Sequence, residues 1–151
     1  AFPHPAVKNQ YLLPEVPSLL QKNKNMLFIK RVPAKSDKKT LVCGVYLASN
    51  IPYARFISTH NKLNYIDFVD DREMDFNMVY GLYVVLNSTL YGKYYQILSK
   101  SKQINTSEFA DMPMPSANAL SAMGSKLIMS RIFSEKNCDA LLNAQIKSGK
   151  L

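Results

Sequence analysis

Between Leu41 and Leu47 every odd position is apolar (Leu41, Cys43, Val45, Leu47), a period-two alternation that suits an extended strand with one buried face. Similar segments flank it: Met26–Val32 is β-rich, and Tyr53–Thr59 and Leu63–Val69 read as further strands. The pieces between them are short and turn-like, with Lys35–Lys39 turning around Ser36-Asp37, then Asn50-Ile51-Pro52, then His60-Asn61-Lys62. A parallel crossover needs about a dozen residues or more, so connections this short require mostly antiparallel pairing. The N-terminal half therefore predicts a twisted sheet. One face meets the core, and the other face, or an edge, is open to a ligand.

After Asp75 the period changes. Phe76, Val79, Tyr80, Tyr83 and Val84 outline an amphipathic helix ending near Leu86. Asn87 or Ser88 caps a second helix with Leu86, Leu90, Tyr94, Ile97 and Leu98 at helical spacing. A polar, basic run follows (Ser99-Lys100-Ser101-Lys102-Gln103), then Ile104, then Asn105-Thr106-Ser107-Glu108, which reads as a cap with an acid at the third helical position. Pro113 and Pro115 stop the chain from continuing as helix. Ser116 caps the next helix, with Leu120, Met123, Leu127 and Ile128 inward. Ser134 to Asn137 break it, and Cys138, Leu141, Leu142 and Ile146 form the stripe of a last helix. The predicted class is α+β, the sheet of the first half packed with helices of the second.

Three regions follow. Residues 1–25, punctuated by Pro3, Pro5, Pro14 and Pro17, read as a linker or arm. Residues 26–115 form the core, and residues 116–151 brace it or offer an interface, with Met123 and Met129 near that face. The opening without an initiator methionine is expected of a piece of a longer protein. At 151 residues, with 47% hydrophobic and 20% charged content, the chain can build a core. No signal-peptide or bilayer-length apolar run is present. Cys43 and Cys138 lack partners at metal-ligand spacing and are expected as buried thiols in a reducing, cytoplasmic setting.

The net charge of +8 is unevenly placed. Residues 1–62 hold Lys8, Lys22, Lys24, Lys30, Arg31, Lys35, Lys38, Lys39, Arg55 and Lys62 against Glu15 and Asp37 only, whereas residues 63–75 are acidic. Such asymmetry favours a polyanionic partner on the first half. Lys30, Arg31, Lys35, Lys38 and Lys39 would flank one hairpin and grip phosphates, or alternatively protect an edge strand from aggregation. His60, Asn61, Lys62 and Asn64 gather amides, an imidazole and an ammonium at one strand start, a chemistry suited to base edges, unless Asn61 serves only the turn. In the later loop Lys100, Lys102, Gln103 and Asn105 are recognition candidates, or simply solvated. Asp70-Asp71-Arg72-Glu73 reads as a solvated acidic loop rather than a metal site.

The segment Leu86–Pro115 resembles the target-recognition domain of type II adenine-N6 DNA methyltransferases, the PstI/BsuBI group and TaqI-like C-terminal domains, some fused to an endonuclease. Leu86-Asn87-Ser88, Tyr94-Tyr95, Gln103-Ile104-Asn105 and Met112-Pro113-Met114-Pro115 match that pattern, as do Arg31 and the run His60 to Tyr65 upstream. Lys100-Ser101-Lys102 stands where the family has Gly-His-Thr, so no role of that histidine transfers. The resemblance spans residues 25 to 115. It implies duplex DNA as partner, together with a catalytic methyltransferase domain of the same parent chain that carries S-adenosylmethionine. The sheet and the Ser99–Thr106 loop would grip the major groove while that domain acts on an extruded adenine.

This chain itself is expected to be catalytically silent. It has no Pro-Pro-aromatic motif and no glycine-rich cofactor loop, and His4 and His60 belong to no nucleophile–base arrangement. No metal or cofactor site is expected in it. Two other readings share much of this pattern: a specificity-subunit domain of a multisubunit restriction system, and a protein-interaction module that uses the basic face without DNA.

Overall fold

The computed structural model describes residues 20–34, 37, 39–68, 70–99 and 103–151. Five strands precede five helices. They are β1 (Leu20–Lys22), β2 (Met26–Lys30), β3 (Cys43–Tyr46), β4 (Phe56–Ser58), β5 (Leu63–Ile66), α1 (Phe76–Leu86), α2 (Thr89–Leu98), α3 (Thr106–Ala110), α4 (Ala117–Ser130) and α5 (Glu135–Lys147). The fold is α+β with antiparallel strands, as the short connections require. The strands divide into two sheets. β2 is central in a three-stranded sheet of order β3-β2-β5, whereas β4 pairs with β1 in a separate two-stranded ribbon.

Two strand expectations are corrected. The third strand is only Phe56–Ser58; residues 48–55 are turns. Leu20–Lys22, within the segment read as an arm, is the strand that pairs with it, while residues 1–19 lie outside the described residues. The register places Leu27 opposite Val45 and Ile66, and Ile29 opposite Cys43 and Asn64. Leu27, Ile29, Cys43, Val45 and Ile66 thus share the face packed on the helical core. This is the odd-position alternation seen in the sequence.

α1 lies against that face, and α4 packs on α1 at very short range. A Cβ added to Gly81 would lie 2.0 Å from the carbonyl oxygen of Leu120, and one on Gly124 would lie 1.7 Å from that of Asn77. Two glycines facing each other's helix let the backbones touch. Each long helix starts on a side-chain cap: Asp75 accepts from the amide of Met78, Ser88 from Tyr91, Ser116 from Ala119 and Ser134 from Asn137.

The buried side of α2 differs from expectation. Tyr91 and Tyr95 are buried, whereas Leu90 and Ile97 stand 50% and 80% exposed. Tyrosines face the core there because their hydroxyls find partners, Pro113 O for Tyr91 and Glu108 for Tyr95.

Candidate nucleic-acid interface

Three pieces of chain remote in sequence meet at the end of the central sheet where β2 finishes and β5 begins. The amide of Arg31 donates to the carbonyl of Lys62 at 2.8 Å, extending the β2–β5 ladder by one step. The amide of Ile104 donates to the carbonyl of Arg31, also at 2.8 Å, and Asn64 Nδ2 donates to the carbonyl of Ile104 at 2.8 Å. Ile104 is 1% exposed. It pins the loop to the sheet, with Gln103 exposed on one side of it and Asn105 half-buried on the other.

α2 holds the loop from behind. Tyr95 donates its hydroxyl to the carboxylate of Glu108 and accepts from the amide of Asn105 at 3.3 Å, while its ring stacks on Phe109 with centroids 5.2 Å apart. Burial raises the Tyr95 pKa first, and the bond to Glu108 adds to it. That bond chiefly lowers the pKa of Glu108, so the pair is a neutral phenol donating to a carboxylate. Asn105 occupies the N-cap of α3 as expected, without a side-chain cap bond of its own, and Glu108 in the first turn accepts from the Asn105 backbone amide as well as from Tyr95.

His60, Asn61 and Lys62 form the turn entering β5 and are exposed. Nδ1 of His60 accepts from the amide of Lys62 at 3.2 Å, and the amide of Leu63 donates to the carbonyl of His60 at 3.0 Å. Among the described residues the one non-glycine with positive φ is Arg131. Asn61 is therefore not needed for a left-handed backbone.

The cations sort themselves by partner. Lys22 pairs with Asp71, Lys24 with Asp67 at 2.9 Å, Lys30 with Asp37 at 2.8 Å, Lys39 with Glu135 at 2.9 Å, and Arg72 with Asp70 at 2.7 Å. The Lys30 ammonium, bonding to Asp37, is the main cause holding that carboxyl below its usual range. Lys39 is committed further inward, donating to the carbonyl and to Oδ1 of Asn87 at 3.2 and 2.8 Å. Among the described residues Arg31 and Lys62 have no carboxylate partner, although their backbones are bonded to each other. Two exposed, like-charged side chains side by side suit an anion between them.

Of the remaining sequence candidates, Lys35, Lys38, Lys100 and Lys102 lie outside the described residues. Arg31, His60, Asn61, Lys62, Asn64, Gln103 and Asn105 are brought together, whereas Lys30 and Lys39 are held by carboxylates. A cleft of about 920 Å³ opens beside β5 and α3, lined by Asn64, Ile66, Phe109 and Met114, but Asp67, Asp70 and Asp71 also line it. Lys22 and Lys24 line it as well and pair with Asp71 and Asp67, so its charged groups are mostly committed to one another. Tyr53, expected to open the third strand, and Arg55, counted only in the basic charge of the first half, are instead exposed on the turn before β4.

The glycines are placed where none opens a cofactor loop. Gly81, Gly92 and Gly124 lie inside helices, Gly44 in β3 and Gly149 beyond α5, so none shapes a strand–loop–helix cofactor turn. Among the described residues no cluster of His, Cys, Asp and Glu could hold a metal, and no helix is long and apolar enough to cross a membrane.

Comparison with curated proteins gives two relatives. The chain is 29% identical over 128 residues to the type II methyltransferase M.BsuBI of Bacillus subtilis, covering 83% of this chain and 24% of that protein. It is 24% identical over 130 residues to the type II methyltransferase M.PstI of Providencia stuartii, covering 86% of this chain and 25% of that one. The chain is thus distantly similar to a part of these two type II methyltransferases. It spans about a quarter of the length of these relatives. No family model and no solved structure matches it.

Proposed function

We propose that this chain is the target-recognition domain of an adenine-specific DNA methyltransferase of a restriction–modification system, and that it binds duplex DNA through the sheet end formed by Arg31, His60–Asn64 and Gln103–Asn105. The observation that carries this reading is their convergence. Three segments that the sequence marked separately are bonded to one another around Ile104, and they carry Arg31 and Lys62, which have no carboxylate partner among the described residues. The homology supports the restriction–modification setting.

Arg31 and Lys62 would contact phosphates and set register, with Lys35, Lys38, Lys100 and Lys102 adding to the field. Gln103, Asn61 and His60 would reach base edges in the major groove, where an amide can pair with adenine N6 and N7. Asn64 and Asn105 would hold the loop that presents Gln103. Methyl transfer, and the S-adenosylmethionine it uses, would belong to the rest of the parent protein, which would approach the extruded adenine from the other side of the duplex.

The test is binding of the 151-residue chain to a mixed-sequence duplex over a range of salt. Affinity should fall steeply as salt rises, and Arg31→Ala and Lys62→Ala should each reduce the log–log slope by about one. Affinity that stays flat with salt, or no binding at low salt, removes the reading and leaves a protein-interaction module.

A further inference from the structure

We propose that the turn at residues 48–55 is a second DNA contact, in which the Tyr53 ring wedges into a base step, stacking on a base that the step's opening uncovers, and the Arg55 guanidinium takes the neighbouring phosphate. The proposal rests on the reading of the chain as a duplex-recognition domain and adds a site outside the surface assigned above.

The turn is held from within by two asparagines of the β1–β2 connection. Asn23 Nδ2 donates to the carbonyls of Ile51 and Ala54, both at 2.9 Å, while its Oδ1 accepts from the Tyr46 hydroxyl at 2.7 Å and its backbone amide donates to the carbonyl of Arg55 at 3.1 Å. Asn25, 6% exposed, accepts from the amide of Ala48 at 2.9 Å and is itself fixed on the carbonyl of Met74 at 2.8 Å. One side chain thus satisfies most of the inward-facing polar groups of the turn, a stiff support for its tip.

What that support presents is an aromatic ring. Tyr53 is 88% exposed, and Phe56 at the start of β4 is 54% exposed. Folding gains little from a ring left in water. Arg55 beside it is also exposed and, like Arg31 and Lys62 but unlike Lys22, Lys24, Lys30, Lys39 and Arg72, has no carboxylate partner among the described residues. A ring with a guanidinium two residues on, unpaired among the described residues, can wedge at a base step of a duplex while the cation holds the adjoining phosphate. Because the turn is ordered before binding, little entropy is lost in presenting it.

The distances along the sheet are compatible with one duplex. The turn leaves β3 beside Met26, at the start of β2, and the Arg31–Lys62 pair sits just past its end. Five residues of strand span about 17 Å, which is about five base pairs at 3.4 Å each. A duplex lying along the strands would reach the base of the turn about half a helical turn from the Arg31–Lys62 end, where the minor groove replaces the major on the same side.

The experiment compares the full chain with Tyr53→Ala, Tyr53→Phe and Arg55→Ala on a mixed-sequence duplex at low salt. Tyr53→Ala should weaken binding about tenfold and Tyr53→Phe less than twofold, because the ring rather than the hydroxyl acts. With 5-iodouracil in place of thymine, irradiation should cross-link Tyr53. Arg55→Ala should lower the salt slope by about one. Tyr53→Ala binding within twofold of wild type, or Tyr53→Phe as weak as Tyr53→Ala, overturns the stacking role. If wild type binds and only Arg31 and Lys62 matter, this inference alone falls; if wild type does not bind duplex DNA, the functional reading falls with it.

Discussion

The side-chain amide of Asn64 donates to the carbonyl of Ile104 at 2.8 Å, across forty residues of sequence, and so fixes the loop before α3 to the first residues of β5. Asn64 lies on the core-facing side of the sheet, opposite Ile29. Its donor is therefore turned to the protein, whereas Gln103, on the other side of Ile104, is exposed. In Asn64→Leu the buried carbonyl of Ile104 loses this partner, which costs about 1–3 kcal/mol. Amide exchange at Ile104 should accelerate at least tenfold while the α1–α4 amides remain protected, and DNA affinity should fall with it. Unchanged exchange at Ile104 would show that the loop is held by something other than Asn64.

Lys39 offers the opposite case, a cation that serves the fold. Its ammonium joins the hairpin to the α1–α2 junction through Asn87 and to α5 through Glu135, whose other oxygen accepts from the Thr89 hydroxyl at 2.7 Å. Lys39→Met should cost about 1–2 kcal/mol, a range reduced for solvent screening of a pair only partly buried. Its DNA-binding salt slope should remain that of wild type. The bond from Lys39, then that from Thr89, holds the Glu135 carboxyl below its ordinary value of 4.5. A depressed folded-state value means stability that is present above 4.5 and lost as pH falls through the folded value. The acid limb of the stability curve should accordingly be shallower in Lys39→Met, as read by denaturant titrations from pH 3 to pH 6, a window of about three units around that value.

Much of this was legible in the residues. The alternation at Leu41–Leu47 gave the buried face, and the short turns gave antiparallel pairing, because both depend on local geometry. Which strands pair was not legible. Nothing in Phe56–Ser58 says that it prefers Leu20–Lys22 to the central sheet, since that choice depends on Asn23 and Asn25 organising the turn from a distance. The candidate site shows the same division. Residue types marked Arg31, the run from His60 to Asn64, Gln103 and Asn105 as separate recognition candidates, and the fold brings them to one end of the sheet. Only the fold shows that Lys30 and Lys39 have carboxylates and that Arg31 and Lys62 have none among the described residues.

The two thiols should be unreactive in the native protein. Cys43 lies on the core-facing side of β3, and burial pushes its pKa up to about 12; burial likewise raises Cys138, partly offset by the Asn87 amide 3.6 Å from its sulfur. The nucleophile is the thiolate, so alkylation by iodoacetamide at pH 8 should be slow until the chain unfolds. A folded-state value above the ordinary 9.0 also means that the neutral thiol stabilises the fold below 9.0 and that this contribution declines as pH rises toward 12. Cys43→Ala should flatten that alkaline decline. Cys43 is half-buried and Cys138 buried, so rapid modification of Cys138 in folded protein would contradict its placement, and rapid modification of Cys43 would contradict its raised pKa.

The crossing of α1 on α4 gives the sharpest test of the packing. At Gly81 and Gly124 the atoms that a methyl group would meet are backbone carbonyls of the opposite helix, 2.0 and 1.7 Å away, so no side-chain rotamer can relieve the clash. An alanine in a solvent-facing helix position would be favoured over glycine by about 1 kcal/mol. Gly92 is such a control, since a Cβ there meets nothing within 4 Å. Gly92→Ala should therefore raise the melting temperature slightly. Gly81→Ala and Gly124→Ala should instead lose about 3 kcal/mol, at the upper end of overpacking costs, because the helices must separate and give up burial along the contact. The double variant should cost less than the sum of the two singles, since one separation accommodates both methyl groups. Strict additivity in a denaturant-melting cycle would mean that the two glycines do not share one crossing.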